Sequence, residues 1–254
     1  MLVDAAQQGS DTPAGFCDRS MMPNPGMLLS IIVPCLNEAA NIMQSLQALA
    51  PYRARGAEVL VVDGGSTDGS AEAARPLADR VICAPRGRAR QMNAGAAIAR
   101  GDILLFMHVD CRLPYGADDL MSSGLARGGF QWGRFDIAIE GSNALLRVVA
   151  AAMNRRSRWT GIATGDQGIF VTRSAFDAVG GYPPLALMED IELSTRLKRV
   201  SRPLCIREPI VTSGRRWEKH GVLRTIVLMW FLRLAYWLGA DTGRLAKFYA
   251  THRS

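Results

Sequence analysis

The stretch LLSIIVPCLNEAANIMQSLQALAPYRARGAEVLVVDGGSTDGS, residues 28–70, carries the pattern that decides the fold. Two short apolar runs, 28–34 and 58–62, flank a stretch at 38–50 with a helical pattern. Each run is almost continuously hydrophobic, as in a strand covered on both faces of its sheet. The order strand, helix, strand predicts a βαβ unit and a parallel sheet.

The same alternation continues to Asp110 and then changes. Before it we predict strands at 80–84 and 102–107 and helices at 69–79 and 89–99. After it come an apolar alternation around Phe130, Trp132 and Phe135, an Ala-rich helix near 142–157, a Gly-rich loop at 159–168 that we expect to be mobile, and a strand at 168–172. The fold class is therefore α/β, with a central, mostly parallel sheet.

Length and composition indicate one folded catalytic core. The chain has 254 residues, of which 48% are hydrophobic and 21% charged, the balance of a globular protein. Five scattered cysteines without metal-ligand spacing predict reduced thiols and a cytoplasmic location. Segment 1–27 lacks the pattern of a secretory signal and is predicted to be a disordered extension.

Polar residues follow the first two predicted strands. Pro34, Asn37 and Glu38 stand where the first strand gives way to a helix, and Asp63 ends the second. In open α/β sheets the carboxyl ends of strands form the ligand crevice. Asn37 either caps the helix or contacts a ligand, and Asp63 is expected to be free to accept hydrogen bonds from a base or ribose. The chain contains neither GxGxxG nor GxxxxGK[ST], so the usual dinucleotide and P-loop sites are not indicated.

Three further groups of polar residues lie later in the sequence. Guanidinium groups suit phosphate, and a carboxylate after a buried strand can hold a divalent cation that bridges to pyrophosphate. Strand alternation predicts that the side chains of His108 and Asp110 point the same way. Adjacent carboxylates at a helix start are either caps or a general base. The groups are Arg86, Arg88, Arg90 and Asn93; Asp166-Gln167 with Met188-Glu189-Asp190; and His108-Val109-Asp110.

The order of these motifs resembles the family 2 glycosyltransferases, which have the Rossmann-like GT-A fold that binds nucleotide-sugars. The resemblance covers roughly residues 28–217. It implies a nucleotide-sugar donor, with a lean towards UDP, and a divalent metal, Mn²⁺ or Mg²⁺, bound at Asp110, the end of a DxD motif. It also implies that Asp190 is the general base, assisted by Glu189.

Other positions take their roles from the resemblance or from the residue chemistry described above. The nucleotide-sugar site would include Pro34, Asn37, Glu38, Asp63, Arg86, Arg90, Asn93, His108 and Asp110. Arg216 would act in catalysis as part of a QxxRW-like motif, and Asp166, Gln167, Arg215 and Trp217 would contact the acceptor or the diphosphate. His108 replaces the first aspartate of DxD, and Ser213 stands where QxxRW has glutamine. The strings HVDCRLP, GDQGIFV and LMEDIELS resemble a small bacterial subgroup of radical-SAM-associated, arsenosugar-type transferases.

The C-terminal segment 218–254 is predicted to be helical, basic and apolar. Residues 215–254 hold eight Arg or Lys against two acidic residues, and 222–238 form an apolar run interrupted by Arg224 and Arg233. This run is shorter than a membrane span. It suits a helix lying in the inner membrane face as a peripheral contact, or one packed on the core or on a second subunit in a homodimer. We expect no nucleic-acid partner.

The leading hypothesis is an inverting, metal-assisted transfer to an unidentified acceptor. A polyisoprenyl phosphate is the second acceptor that we consider, and it applies if the tail binds a membrane. A binding or scaffold protein without catalysis is the alternative of another class, and the presence of Asp63, Asp110 and Asp190 argues against it. A sugar nucleotidyltransferase would require a lysine-bearing Gly-rich loop where PCLNE stands.

Overall fold

The parallel half of the sheet is built as the sequence predicts. A computed structural model describes residues 27–252, so that the extension predicted at 1–27 lies almost wholly outside the described residues. Strand β1 pairs in parallel with β2 on one side and β4 on the other, and β3 pairs in parallel with β2. The strands are β1 (Leu29–Cys35), β2 (Glu58–Asp63), β3 (Arg80–Cys83) and β4 (Ile103–Phe106).

Four more strands complete a mixed, eight-stranded sheet in the order β3-β2-β1-β4-β7-β6-β8-β5. Strand β7 is antiparallel to both β4 and β6, β8 is parallel to β6, and β5 is antiparallel to β8. These strands are β5 (Cys111–Arg112), β6 (Trp132–Glu140), β7 (Ile169–Thr172) and β8 (Leu204–Ser213). The predicted strand at 168–172 is confirmed as β7, whereas β8 was not predicted.

The missed strand has a physical explanation in its own sequence. Arg207, Glu208 and Pro209 interrupt the apolar pattern of β8. The pairing with β6 jumps from Ile206 directly to Pro209, so Arg207 and Glu208 form an irregularity in the ladder. A bulge of this kind breaks the two-residue alternation by which a strand is predicted.

Helices cover both faces of the sheet. Strand alternation directs Ile31 and Val33 into one hydrophobic cluster and Ile32 into the other. A Cβ atom built on Gly95 would lie 2.5 Å from Cγ2 of Ile32, so a glycine is required where α4 approaches the sheet. The helices up to residue 197 are α1 (Ala39–Ala48), α2 (Ala50–Ala54), α3 (Ser70–Ala74), α4 (Arg88–Ile98), α5 (Ala117–Ala126), α6 (Leu145–Thr160), α7 (Arg173–Ala178) and α8 (Glu189–Leu197).

Three helices end the described chain: α9 (Arg215–His220), α10 (Val222–Trp237) and α11 (Thr242–Thr251). Val222 packs in the main core, whereas Leu232 and Leu245 pack with Met188, the residue that precedes α8. The predicted helix at 222–238 is thus confirmed, with one face on the core. Among residues 27–252, no helix has the length and apolarity needed to cross a bilayer. The domain boundary at residue 217 stays a prediction.

Candidate active site

The loops after β1 and β2 are joined by hydrogen bonds from their own polar residues. The backbone N–H of Asn37 donates to Oγ of Ser66 at 2.9 Å, and Oδ1 of Asn37 accepts from the backbone N–H of Thr67 at 3.0 Å. The backbone of Asn37 is left-handed, with φ of 52°. Asn37 therefore bridges two loops and makes no side-chain cap on α1.

Asp63 is not free at the strand tip, and that prediction is wrong. Its side chain is buried, and Oδ2 accepts hydrogen bonds of 2.9 Å from the backbone N–H groups of Gly65 and Ser66. Oδ1 accepts a further bond from the hydroxyl of Ser66. An aspartate at the start of a turn commonly bonds the backbone that follows it. Asp63 therefore shapes the loop, and only Oδ1 keeps a lone pair for a ligand, since Oδ2 accepts two hydrogen bonds.

A buried glutamine that sequence analysis missed fixes the two strand ends. Nε2 of Gln91 on α4 donates to the backbone carbonyls of Cys35 and Val62, each at 2.8 Å. Gly64 lies against the same amide, since a Cβ atom there would be 3.1 Å from it. Gln91 thus holds α4 against the tips of β1 and β2 at the predicted nucleotide edge.

The arginine that reaches the carboxylates is Arg88, and not Arg86 or Arg90. Arg86 and Arg90 are exposed, whereas Arg88 is partly buried. Burial acts to lower the pKa of Arg88, but Glu189 and then Asp166 and Asp190 outweigh it and raise that pKa. Arg88, Gln91 and Met92 lie three and four positions apart on one face of α4, and this helical spacing was the signal that could have identified Arg88.

Asn93 has a structural partner on the neighbouring segment. Its Nδ2 donates to the carbonyl of Tyr182 at 2.8 Å, and its Oδ1 accepts from the backbone N–H of Tyr182 at 2.9 Å. This pair of bonds satisfies the amide and ties α4 to the chain that leads into α8. Direct contact of Asn93 with a nucleotide stays a prediction.

His108 and Asp110 follow the end of β4, on a turn. The strand ends at Phe106, so the argument that strand alternation points the two side chains the same way does not hold. Nδ1 of His108 lies 3.1 Å from Oδ1 of Asp166, which brings a second carboxylate to this corner. The buried Sγ of Cys111 lies 3.9 Å from Oδ1 of Asp110 and 4.0 Å from the carbonyl oxygen of Asp166.

The predicted mobile loop contains an ordered 3₁₀ turn at Gly165–Gln167. Thr164 and Gln167 form a capping box on it. A Cβ atom on Gly165 would lie 2.6 Å from Nε2 of His108, so only glycine allows the imidazole to pack there. Gln167 is fully buried, and its Oε1 accepts a hydrogen bond from the backbone N–H of Thr164, while its contact with the acceptor or the diphosphate stays a prediction.

Asp190 joins this turn to α8. Its Oδ2 accepts a 2.8 Å hydrogen bond from the backbone N–H of Gly165, and its Oδ1 accepts one of 2.8 Å from the backbone N–H of Ile191. Asp190, the 3₁₀ turn, Asp166 and His108 are therefore connected in one chain of contacts that ends beside Asp110. These contacts link the predicted base to the turn that carries the predicted metal residue, and the roles of both stay predictions.

Glu189 is buried beside Asp190 and has a different electrostatic environment. Burial raises the pKa of Glu189, Asp190 raises it further, and Arg88 acts in the opposite direction. The preceding residue, Met188, is buried and has a left-handed backbone with φ of 67°, a conformation that costs free energy for a residue other than glycine. Packing of Met188 with Leu232 and Leu245 maintains that conformation.

The QxxRW-like segment runs from Ser213, the last residue of β8, into α9, which holds Arg215, Arg216 and Trp217. Nη2 of Arg215 donates to Oδ1 of Asn41 at 2.9 Å, and Nε donates to Oγ of Ser213 at 3.0 Å. Trp217 is partly buried against the main core. Arg216 lies in the same helix, and its role stays a prediction.

The metal residues do not form a complete protein cage. Among residues 27–252 there is no group of three or more His, Cys, Asp or Glu residues that could hold an ion by themselves. Mg²⁺ and similar cations are commonly bound by one or two carboxylates together with substrate phosphates. Asp110, with Asp166 nearby, fits that second arrangement.

Comparison with known proteins extends these observations. Residues 30–126 match the sequence profile described as Glycosyl transferase family 2. A probable glycosyltransferase of Bacillus subtilis (strain 168), YdaM, is 26% identical over 193 residues, which cover 66% of this chain and 46% of that protein. This chain therefore spans less than half the length of that relative.

Two solved structures share the architecture. The mannosyltransferase PcManGT from Pyrobaculum calidifontis, in complex with GDP-Man and Mn²⁺, has a TM-score of 0.61 at 23% identity, covering 84% of this chain and 62% of its own. Glucosyl-3-phosphoglycerate synthase from Mycobacterium tuberculosis, with Mn²⁺ and UDP, has a TM-score of 0.58 at 18% identity, covering 81% and 79%. Residues 30–126 are therefore similar to glycosyl transferase family 2, and the chain that contains them has the GT-A fold.

Proposed function

We propose that the protein is an inverting glycosyltransferase that moves a sugar from a nucleotide-sugar, most simply a UDP-sugar, to an acceptor hydroxyl or phosphate. The observation that carries the proposal is the connection from Asp190 through Gly165 and Asp166 to His108. This connection links the candidate base to the turn that contains Asp110. The family match and the nucleotide-sugar complexes of the structural neighbours support the donor class.

The reaction is a single displacement at the anomeric carbon. The acceptor oxygen forms a bond to that carbon on the face opposite the diphosphate, and the bond from the carbon to the diphosphate oxygen breaks with its electron pair. The acceptor proton passes to the carboxylate of Asp190. Each oxygen of Asp190 accepts one backbone hydrogen bond and retains a lone pair that can take this proton. Inversion follows because the attack occurs once.

A divalent cation fits the donor side of this site. Asp110 would hold it, together with the diphosphate of the donor, and Asp166 lies at the same corner through its contact with His108. When bound, such a cation neutralises charge that develops on a leaving diphosphate. Mn²⁺ is present in the complexes of both structural neighbours. The thermal-shift panel described below distinguishes Mn²⁺ from Mg²⁺ for this chain.

A thermal-shift panel tests the donor and the metal together. UDP- and GDP-linked sugars are added to the protein with Mn²⁺, with Mg²⁺ and with EDTA, because a ligand that binds the folded state raises the melting temperature. We expect a metal-dependent shift with at least one donor, and its loss in Asp110→Asn. The matched control Asp118→Asn, on α5, should keep the shift. Equal donor affinity in Asp110→Asn and wild type would contradict the metal assignment.

A specific surface favours a second acceptor, a polyisoprenyl phosphate at a membrane surface. The outer face of α10 presents an apolar stripe spaced by four and three residues along the helix: Leu223, Val227, Trp230, Leu234 and Trp237, each more than half exposed. Exposed basic residues, Arg224, Arg244 and Lys247, lie on α10 and α11. Tryptophan and basic residues together suit an anionic lipid interface.

Vesicle sedimentation tests this candidate. Full-length protein should bind vesicles that contain anionic lipid at low salt, and Trp230→Ser with Trp237→Ser should release it. The control Trp159→Ser changes an equally exposed tryptophan on α6. Absence of wild-type binding at low salt, where electrostatic attraction is strongest, rules the membrane candidate out. A dimer that dissociates when the two tryptophans are changed would instead identify the stripe as a subunit interface.

Two finer assignments belong with the proposal. The strings HVDCRLP, GDQGIFV and LMEDIELS support membership of the radical-SAM-associated, arsenosugar-type subgroup. A cytoplasmic location, on the inner membrane face if the stripe binds lipid, agrees with the scattered cysteines. The non-catalytic binding protein remains the alternative of another class, and donor binding without any turnover would favour it.

A further inference from the structure

Two arginines that sequence analysis did not assign to the site border Asp190. Arg156 lies on α6 and Arg233 on α10, and both interact electrostatically with Asp190. Nε and Nη2 of Arg156 are inaccessible to solvent and have no hydrogen-bond partner in the part of the chain that the structure describes. A buried polar group without a partner is rare in folded proteins and calls for an explanation.

The two guanidinium groups repel each other and are poorly compensated. Burial, followed by the charge of Arg233, lowers the pKa of Arg156 to about 10 although Asp190 acts against the change. Burial also lowers the pKa of Arg233, and it outweighs Asp190 and Asp166. Asp190 is therefore the one carboxylate that acts on both cations, and Glu189 is already balanced by Arg88.

Arg134 differs from Arg156 in having an ion-pair partner, although its buried Nε also lacks a hydrogen-bond partner among the described residues. Arg134 on β6 is completely buried, pairs with Asp136 and donates from Nη2 to the carbonyl of Asn154. Asp136 also pairs with Arg158, which lies on α6. Arg156 lies on the same helix without any such partner. Its charge is thus available to a bound anion.

Helix α6, which carries Arg156, packs on β6, where the side-chain amide of Asn154 bonds the backbone N–H and carbonyl of Ile137. In the sheet order, β6 is four strands from β2, which Asp63 ends, and this corresponds to about 19 Å at the usual strand spacing. Asp110 follows β4, which lies between them. Leu232, the neighbour of Arg233, packs with Met188 just before Glu189 and Asp190. Helix α6 therefore lies beyond the metal corner as seen from the nucleotide edge.

We propose that Arg156 and Arg233 form a binding subsite for a phosphate group carried by the acceptor, beside Asp190. The planar guanidinium group matches the oxygens of phosphate, and two cations balance a group that carries up to two negative charges. The identification of the ligand as the acceptor rests on the proposed function. Bound phosphate would balance the charges of Arg156 and Arg233 and hold the acceptor oxygen near the reacting centre.

Calorimetry and thermal shift with inorganic phosphate test the subsite. Sodium phosphate is titrated against sodium chloride of equal ionic strength for wild type, Arg156→Gln and Arg233→Gln. We expect wild type to bind phosphate and each variant to bind at least tenfold more weakly. The matched control Arg155→Gln, an exposed residue on the same helix, should bind as wild type does. Without phosphate, Arg156→Gln should melt at the same or a higher temperature, because a repelled, unpaired cation has been removed.

A second arm separates acceptor phosphate from donor diphosphate. The titration is repeated with saturating UDP and Mn²⁺, and the subsite predicts that phosphate still binds. Competition between UDP and phosphate would overturn the assignment, since the arginines would then belong to the donor. Absence of phosphate binding to wild type would also overturn it. If Arg156→Gln does not fold, the phosphate affinities of Arg156→Lys and Arg233→Gln are compared with that of wild type instead.

The two proposals fail in different ways. The protein could bind phosphate through Arg156 and Arg233 and yet bind no nucleotide-sugar. That result would contradict the glycosyltransferase proposal, and the phosphate site would then not be an acceptor site. Nucleotide-sugar binding without phosphate binding would contradict the subsite and leave the glycosyltransferase proposal intact.

Discussion

The carboxylate of Asp190 accepts a 2.8 Å hydrogen bond from the backbone N–H of Gly165, twenty-five residues earlier in the chain. This bond connects the start of α8 to the 3₁₀ turn that carries Asp166. Because Asp166 contacts His108, the position of Asp190 is coupled to the turn that follows β4. Changes on either side of this connection should therefore affect both donor and acceptor steps.

Gly165 and His108 provide the first prediction. Gly165→Ala would place a Cβ atom 2.6 Å from Nε2 of His108, and we expect a loss of about 1–3 kcal/mol in the free energy of unfolding. In a His108→Ala background the same substitution should cost much less, because the ring is absent. Urea denaturation of the two single variants and the double variant measures this coupling. Additive losses would show that the two residues do not pack as described.

Leu232 and Leu234 test whether the C-terminal helices support the site. Leu232 is fully buried with Met188, so Leu232→Ala should cost about 2–5 kcal/mol in unfolding free energy and should reduce turnover by displacing Met188 and Glu189. Leu234→Ala, on the exposed face of the same helix, should cost less than about 0.5 kcal/mol. Equal effects of the two substitutions would contradict the packing of α10 on α8.

Glu189 predicts a pH dependence of stability. Its pKa is raised in the folded state, chiefly by burial, so its stabilising contribution is complete below the unfolded pKa near 4.5 and is lost as pH rises through the folded pKa. Glu189→Gln should therefore become more stable relative to wild type between pH 4.5 and 7.5. The gain is roughly 1.4 kcal/mol for each pH unit that separates the two pKa values.

Urea denaturation at several pH values measures that gain. Glu192→Gln, on the same helix but paired with Arg196, is the matched control and should show no such trend. A difference between Glu189→Gln and wild type that stays constant over this pH range would contradict the buried environment described for Glu189. Arg88→Gln should enlarge the effect, since Arg88 opposes the raised pKa.

The sequence predicted the parallel strands and the motifs at their ends, because continuous apolar runs and strand-tip motifs are local signals. It did not single out Arg88, since the three arginines in RGRAR look alike until the helix phase is known, and it missed Gln91. It predicted that the Asp63 carboxylate is free, because the hydrogen bonds that it accepts from the following turn depend on the geometry of that turn. Arg156 and Arg233 lie on different helices, α6 and α10, and only tertiary packing brings them to Asp190.

The central claim is that Asp190 takes the proton in a sugar transfer from a nucleotide-sugar. The most direct measurement is the release of nucleoside diphosphate by slow hydrolysis of the bound donor, in which water replaces the acceptor, together with donor affinity by calorimetry. We predict that Asp190→Asn lowers hydrolysis by about 10²–10⁴-fold and changes donor affinity less than threefold. Unchanged hydrolysis in Asp190→Asn, or a donor affinity that falls as far as hydrolysis does, would contradict the assignment.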